Sequence, residues 1–271
     1  MSGRPSDTGQ GPFAGQVALI YGGGRGIGAA CAIGLAEGGA DISVVSRTFG
    51  EVQRVCGVAQ GRGVQAEAIV ADLGDPDQIM HSVARTMERF GRIDLVINLV
   101  ADTGPLNVAT WEVSEADWRS MLAVNVSAPC AIARLVVPIM LQQARGKLLF
   151  ATSPFGDRVT PGMGGYGCSR AAVNHLVLQL GAELQGSIVA ACLVYPGITD
   201  TPGLRSFRER HHAGGASLPF ASAVHPENMA RLFLWAALQP PDAINGAVIA
   251  WNDPQVQAAL RVFWSGRPGR W

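Results

Sequence analysis

The sequence predicts one α/β domain, a doubly wound and mostly parallel sheet of seven strands with helices on both faces. Three observations predict it. Short apolar runs alternate with amphipathic stretches along nearly the whole chain. The 271 residues are 48% hydrophobic and only 15% charged, the composition of a heavily buried body. The first apolar run ends in a glycine cluster that opens a helical pattern. Parallel strands need long crossover connections, which are usually helices, so such a sheet is covered on both sides. The length sits in the upper range for one hydrophobic core.

The elements follow in order. Residues 1–12 are rich in Gly, Ser, Pro and Thr and read as a flexible leader. Residues 17–21 are the first strand, and the Ala-rich stretch 26–37 has helical spacing. A strand over 41–46, a helix near 49–60, a strand over 64–71 and a helix over 75–90 continue the beat. Asp75-Pro76 opens that helix, a capping residue followed by the one favoured at the first helical position. Residues 93–98 form the fourth strand. Residues 114–143 read as one long helix, with Ser114 as N-cap and Asp117 three positions on, as in a capping box. A fifth strand covers 147–152, a helix 164–185 and a sixth strand 188–194. Over 203–224 the pattern breaks, then resumes with a helix over 226–238 and a last strand over 246–250. The domain thus spans 13–252, with 203–224 as an insert where lids lie on such sheets. Residues 253–271 form a C-terminal tail whose Phe263, Trp264 and Trp271 fit either a strap over the chain's own surface or a contact with a neighbouring subunit.

Composition also narrows the partners. Basic and acidic side chains number 21 each, so no net positive field gathers a phosphate backbone, which argues against a nucleic-acid binder. Cysteines 31, 56, 130, 168 and 192 show no paired spacing and read as small hydrophobes rather than a zinc site or disulfide framework. Histidines 81, 175, 211, 212 and 225 lack metal-ligand spacing; His175 reads as a packed or interface residue, and His211-His212 as a solvated loop pair. No apolar run approaches about 18 residues and the N-terminus lacks a signal-peptide pattern, so a cytoplasmic protein without a membrane span is expected.

The loop after the first strand reads Gly22-Gly-Gly-Arg25-Gly26-Ile27-Gly28. Glycines let the backbone turn tightly and approach a pyrophosphate, whose charge meets free N–H groups and the positive end of the helix dipole. At the end of the second strand, a carboxylate would accept from the ribose 2′-hydroxyl of NAD. This chain has Ser46-Arg47 there. A guanidinium matches a phosphate in charge and shape, and Arg25 adds a second, so NADP(H) is favoured over NAD(H); a solvated arginine pair is the plainer alternative. Asp72, before Leu73, is placed to accept from an adenine amino group or to start the following helix.

These residues together resemble the classical short-chain dehydrogenase/reductase family, from about Phe13 to Asn252. The glycine spacing at 22, 26 and 28 is similar to that family's loop, Asp72-Leu73 to its adenine contact, and Asn98 to the start of its Asn-Asn-Ala-Gly motif. Asn125 within Val124-Asn-Val126, Ser153 thirteen residues before Tyr166, and Pro196-Gly197 followed by Thr199 and Thr201 occupy matching positions. The resemblance implies a Rossmann-type fold and a homotetramer or dimer joined through the helices at 114–143 and 164–185.

The resemblance also implies roles. Tyr166 exchanges a proton with the substrate oxygen, Ser153 hydrogen-bonds that oxygen, and Asn125 holds a helix kink and a relay water. In the family a lysine four residues after the tyrosine grips the nicotinamide ribose and lowers the tyrosine pKa, because phenol titrates near 10. Here that position is Arg170. Arginine supplies the cation but effectively never deprotonates, so the two are not interchangeable. Tyr21 stands for the usual threonine, Leu99-Val100-Ala101 for Asn-Ala-Gly, and Asp253-Pro254 for a common Gly-Gly pair.

The expected function is an NADPH-dependent reductase, or the reverse dehydrogenase, acting on a small to medium, partly apolar metabolite of a biosynthetic pathway. Leu204, Phe207, Leu218 and Phe220, mixed with Arg205, Arg208 and Arg210, suggest a moderately apolar substrate with a polar or acidic edge. Arg170 and the altered Asn98 motif keep open a non-redox cyclase, dehydratase or isomerase; a catalytically silent nucleotide-binding protein ranks below both.

Overall fold

The structure, a computed structural model, describes residues 11–206 and 223–265. Seven parallel strands form one sheet in the order β3-β2-β1-β4-β5-β6-β7: β1 (Val17–Tyr21), β2 (Asp41–Ser46), β3 (Ala66–Val70), β4 (Leu95–Asn98), β5 (Gly146–Ala151), β6 (Val189–Tyr195) and β7 (Val248–Ala250). The chain winds outward from β1 to β3, then returns to place β4 on the other side of β1. That reversal leaves a crevice at the carboxyl ends of the central strands, where ligands bind on open sheets of this kind. Every residue of β1 is buried, as a central parallel strand covered on both faces requires.

Helices α1 (Gly26–Glu37), α2 (Phe49–Gln60) and α7 (Pro226–Leu238) cover one face, where Leu35, Val55 and Phe233 meet Ile20 and Val44. Helices α3 (Pro76–Phe90), α5 (Ala128–Gln142) and α6 (Gly164–Glu183) cover the other, where Ile79, Ile132 and Val177 meet Leu19 and Phe150. Asp75 caps α3 by accepting from Asp77 N and Gln78 N, with Pro76 at its first position, and Ser114 caps α4 (Glu115–Leu122) by accepting from Asp117 N at 3.1 Å. Tyr21, the departure from threonine, is a core residue: it is fully buried with its hydroxyl 2.8 Å from Ser82 Oγ, and burial pushes its phenol well up.

The long helix expected over 114–143 is real but not regular. Between α4 and α5 the chain passes through a π-helical turn, Ala123–Ser127, centred on Asn125. By length and composition the stretch Glu115–Gln142 is also apolar enough to cross a membrane, which reading contiguous apolar runs did not anticipate; its inner face, including Ile132, Val136 and Met140, packs against the sheet instead.

The C-terminal stretch is more ordered than a tail. After a short helix α8 (Pro241–Ile244), residues Pro254–Ser265 form α9, because Val256, Leu260 and Trp264 recur every four residues and pack against the core. Arg231 lies 5.5 Å from the Trp264 ring, so Trp264 belongs to an intramolecular strap, with Phe263 edge-on at 5.0 Å. Trp271 lies outside the described residues, as do Phe207, Arg208, Arg210, His211, His212, Leu218 and Phe220 of the insert.

Candidate active site

The carboxyl ends of β1 to β4 open onto a cleft of about 680 Å³. It is lined by the glycine loop, by residues 46–48 after β2, 71–74 after β3 and 99–102 after β4, and by residues 201–203 from beyond β6. Arg25 is the N-cap of α1, but no side chain caps the helix and its first turn has no acidic residue. The first amides and the positive end of the dipole are therefore not countered by a side-chain acceptor. Gly22 adopts φ +80°, a conformation that L side chains rarely take. At Gly28 an added Cβ would lie 2.1 Å from Gly22 O, so only glycine lets the loop fold back on the helix. A backbone cradle, an uncapped helix start and two arginines at the rim fit a pyrophosphate-bearing dinucleotide, in a volume usual for ligand clefts.

Most of the residues expected to bind a coenzyme meet here: Gly22, Arg25, Gly26, Ile27, Gly28, Ser46, Arg47, Asp72, Leu73 and Thr201 all line the cleft. Asp72 does not cap a helix. Its Oδ1 accepts from Gly74 N at 2.9 Å while Asp75 takes the capping role, and Asp72 remains exposed to the cleft. Asn98 is buried just behind it, accepting from Val100 N at 3.1 Å. Pro196, Gly197 and Thr199, which follow β6, lie off the lining; Thr199 is buried and donates to Gly197 O at 3.3 Å.

Asn125, Ser153, Tyr166 and Arg170 form a second group beside the cleft, outside its lining. Asn125 is buried and its amide is fully engaged. Its Oδ1 accepts from Asp102 N at 2.8 Å, and its Nδ2 donates to Asp102 O at 2.7 Å and Ser169 Oγ at 2.9 Å. Ser169 in turn donates to Tyr166 O, so the π-turn ties the loop after β4 to the first turn of α6. Tyr166 is half-buried between the Phe155 ring, 6.1 Å away and edge-on, and the Arg170 guanidinium, 5.8 Å from its ring centre. Ser153 caps the short turn Pro154–Gly156, accepting from Phe155 N.

Arg170 is 4% exposed. Its Nη2 donates to Ala151 O at the end of β5, and its buried Nε has no hydrogen-bond partner. The longer side chain has turned its charge back under Tyr166, a fixed cation against an aromatic face. Among the described residues no group of three or more His, Cys, Asp or Glu could hold a metal ion, and His175 is exposed.

Three residues of this region escaped the sequence reading. Glu51 lines the cleft from the first turn of α2, where an acidic residue is ordinary. Asp102 joins the cleft to Asn125, a pairing 23 residues apart that no local pattern signals. Tyr195 ends β6; burial raises its phenol, opposed by the Arg158 charge and reinforced by the nearby Tyr166. Its place at a strand's carboxyl end was the available signal.

A family model described as short chain dehydrogenase matches residues 16–212. The chain is 27% identical over 236 residues to 3-oxoacyl-(acyl-carrier-protein) reductase FabG of Thermotoga maritima, covering 87% of this chain and 95% of that one. Among solved structures, it superposes with TM-score 0.76 and 26% identity on a short chain dehydrogenase from Burkholderia cenocepacia J2315 in complex with NADP, covering 88% and 97% of the two chains. It also superposes with TM-score 0.77 and 25% identity on 7α-hydroxysteroid dehydrogenase complexed with NADH and 7-oxo glycochenodeoxycholic acid, covering 88% and 93%.

Proposed function

The chain belongs to the short chain dehydrogenase family, a family of oxidoreductases, and from that premise we propose that it is an NADPH-dependent reductase of a partly apolar carbonyl compound. The observation that carries this reading is the pair of guanidiniums, Arg25 and Arg47, on the rim of a cleft whose glycine loop fits a dinucleotide. Gly22, Gly26 and Gly28 cradle the pyrophosphate, Arg25 and Arg47 meet the 2′-phosphate, and Asp72 with Leu73 contacts adenine. Asn98, Pro196, Gly197, Thr199 and Thr201 shape the nicotinamide side. When bound, the coenzyme supplies the hydride for the carbonyl carbon.

The chain's own part is to orient the oxygen and deliver a proton. Ser153 donates a hydrogen bond to the carbonyl oxygen and Tyr166 gives it the phenolic proton as negative charge develops there. Asn125 acts through position, since its amide is spent on Asp102 and Ser169 and so fixes the spacing between cleft and α6. Arg170 places its cation against the Tyr166 ring while its Nη2 is held by Ala151 O at the end of β5.

The test is a fluorescence titration with NADPH and NADH, followed by a carbonyl panel scored by NADPH consumption. NADPH is expected to bind tighter and to be consumed with at least one substrate; a protein that binds neither nucleotide contradicts the reading. A second reading keeps the pocket but drops net redox chemistry, as in a cyclase, dehydratase or isomerase. Arg170 favours it, because the guanidinium is committed to Ala151 O rather than extended into the cleft. Turnover with no nicotinamide present identifies it.

A homodimer or homotetramer through α4 to α6 fits the exposed Leu122, Leu141 and Leu178 on those helices, and light scattering of the purified protein decides it. Five unpaired thiols fit a reducing cytoplasm.

A further inference from the structure

The rim of the cleft holds a carboxylate as well as arginines. Glu51 Oε1 lies 3.7 Å from Arg25 Nη1. The other acids of the cleft are held by hydrogen-bond donors: Asp72 by Gly74 N, and Asp102 by Gly104 N and Ser120 Oγ. Among the described residues the Glu51 carboxylate is held by Arg25 alone, across a distance too long for a strong hydrogen bond. A Cβ on Gly24 would meet Ser46 Oγ at 2.7 Å and Glu51 at 2.9 Å, so the glycine leaves room for this acid beside the end of β2. One turn on, Arg54 donates to Gly24 O at 3.1 Å.

Arg25, Arg54 and Glu51 therefore flank the loop, and Arg47 lines the same cleft beyond it, so at this rim three guanidiniums face a single carboxylate and a phosphate monoester, which carries roughly −1.5 to −2, finds its counter-charge there. Arg25 cannot be fully committed to both Glu51 and a phosphate, and Glu51 itself repels that phosphate while a neutral ribose hydroxyl can donate to it. Resting on the coenzyme reading of the cleft, we propose that Glu51 sets how strongly this protein prefers NADPH over NADH: it competes with the 2′-phosphate for Arg25 and holds the preference below what the arginines alone would give. It is a specificity-determining residue, not a catalytic one.

The test is calorimetric titration of the full chain, wild type and Glu51→Gln, with NADPH, NADH, 2′,5′-ADP and 5′-AMP, alongside the thermal midpoint. The last two probes read the adenosine end without any chemistry. Glu51→Gln is expected to tighten NADPH and 2′,5′-ADP by about three- to fivefold, as for a partly exposed charge pair, to leave NADH and 5′-AMP unchanged or weaker, and to lose the difference in molar salt. In an Arg25→Gln background the Glu51→Gln gain should shrink, because the contested partner is gone. A parallel shift of both nucleotides, or no shift, overturns the proposal while leaving the coenzyme reading intact. A wild-type protein that binds none of the four overturns both.

Discussion

The two halves of the site are built on opposite principles. The phosphate end, from β1 through the start of α2, is open: an uncapped helix, glycines where side chains will not fit, and arginines on the rim. The end around Tyr166 is closely packed, with the Asn125 amide spent, Arg170 buried against Ala151 O, and Thr152 hydrogen-bonded to Asn174. An open cradle tolerates a ligand's arrival with little rearrangement. A packed cluster holds reacting groups in one geometry, and a change of residue type there must find its partners among the neighbours: Arg170 finds Ala151 O for Nη2 and none for Nε.

The contrast is broken most directly at its packed end. Tyr166→Phe should lower carbonyl reduction by about 10² to 10⁴, the usual worth of a positioned proton donor, with NADPH affinity nearly unchanged; near-normal turnover would remove Tyr166 from the chemistry. At the open end, Gly28→Ala should abolish nucleotide binding and destabilise the fold by about 1–3 kcal/mol, since the new Cβ collides with loop backbone at the Gly22 carbonyl and Gly23 Cα. Chemical denaturation and a binding titration read both effects.

Arg170→Met separates charge from bulk. It leaves Ala151 O without its donor, which costs about 1–3 kcal/mol of stability, and withdraws the cation beside Tyr166, so kcat should fall more than the nucleotide affinity does. Unchanged kcat would mean that the arginine is only structural. Arg47→Ala should weaken NADPH about tenfold, the loss of one charge-assisted contact, and leave NADH unaffected; equal effects on both would dissociate Arg47 from the 2′-phosphate.

A further effect lies away from both ends and serves as their control. The Lys147 amine donates to Ala237 O and Gln239 O at the end of α7, and burial lowers its pKa to about 8, with the Arg145 charge adding to the shift. Between about pH 8 and 10.5 the native protein has released a proton that the unfolded chain still binds, so this group makes stability rise with pH across that window. The gain is at most about 3 kcal/mol at about 1.4 kcal/mol per pH unit. Burial raises the Cys31, Cys56 and Cys192 thiols and pulls stability down with pH in both proteins, so denaturation midpoints at pH 7.5 and 10 should change more favourably in the wild type than in Lys147→Met, with nucleotide binding at pH 7.5 the same in both.

Much of the molecule was legible without coordinates because its signals are local. Gly22, Gly26 and Gly28 announce a turn that needs positive φ and close approach. Asp75-Pro76 and Ser114 announce helix starts, and apolar runs such as 17–21 announce strands buried on both faces. That the glycine loop, Ser46-Arg47 and Asp72 meet in one cleft follows from that order, since the carboxyl ends of parallel strands share one edge of the sheet, whereas Leu73 and Thr201 were expected from the family resemblance.

What needed the tertiary structure was every feature that depends on where a side chain turns once the backbone is placed. The spacing of Tyr166 and Arg170 puts them on one face of α6 but does not say that the guanidinium folds back to Ala151 O. Nothing near Asn125 foretells its bonds to Asp102 and Ser169, 23 and 44 residues away. Glu51 reads as an ordinary first-turn acid until the glycine loop is laid beside it. Periodicity and turn chemistry act between near neighbours and survive in one dimension; charge pairing and hydrogen-bond satisfaction act through space, and only the folded chain determines which groups meet.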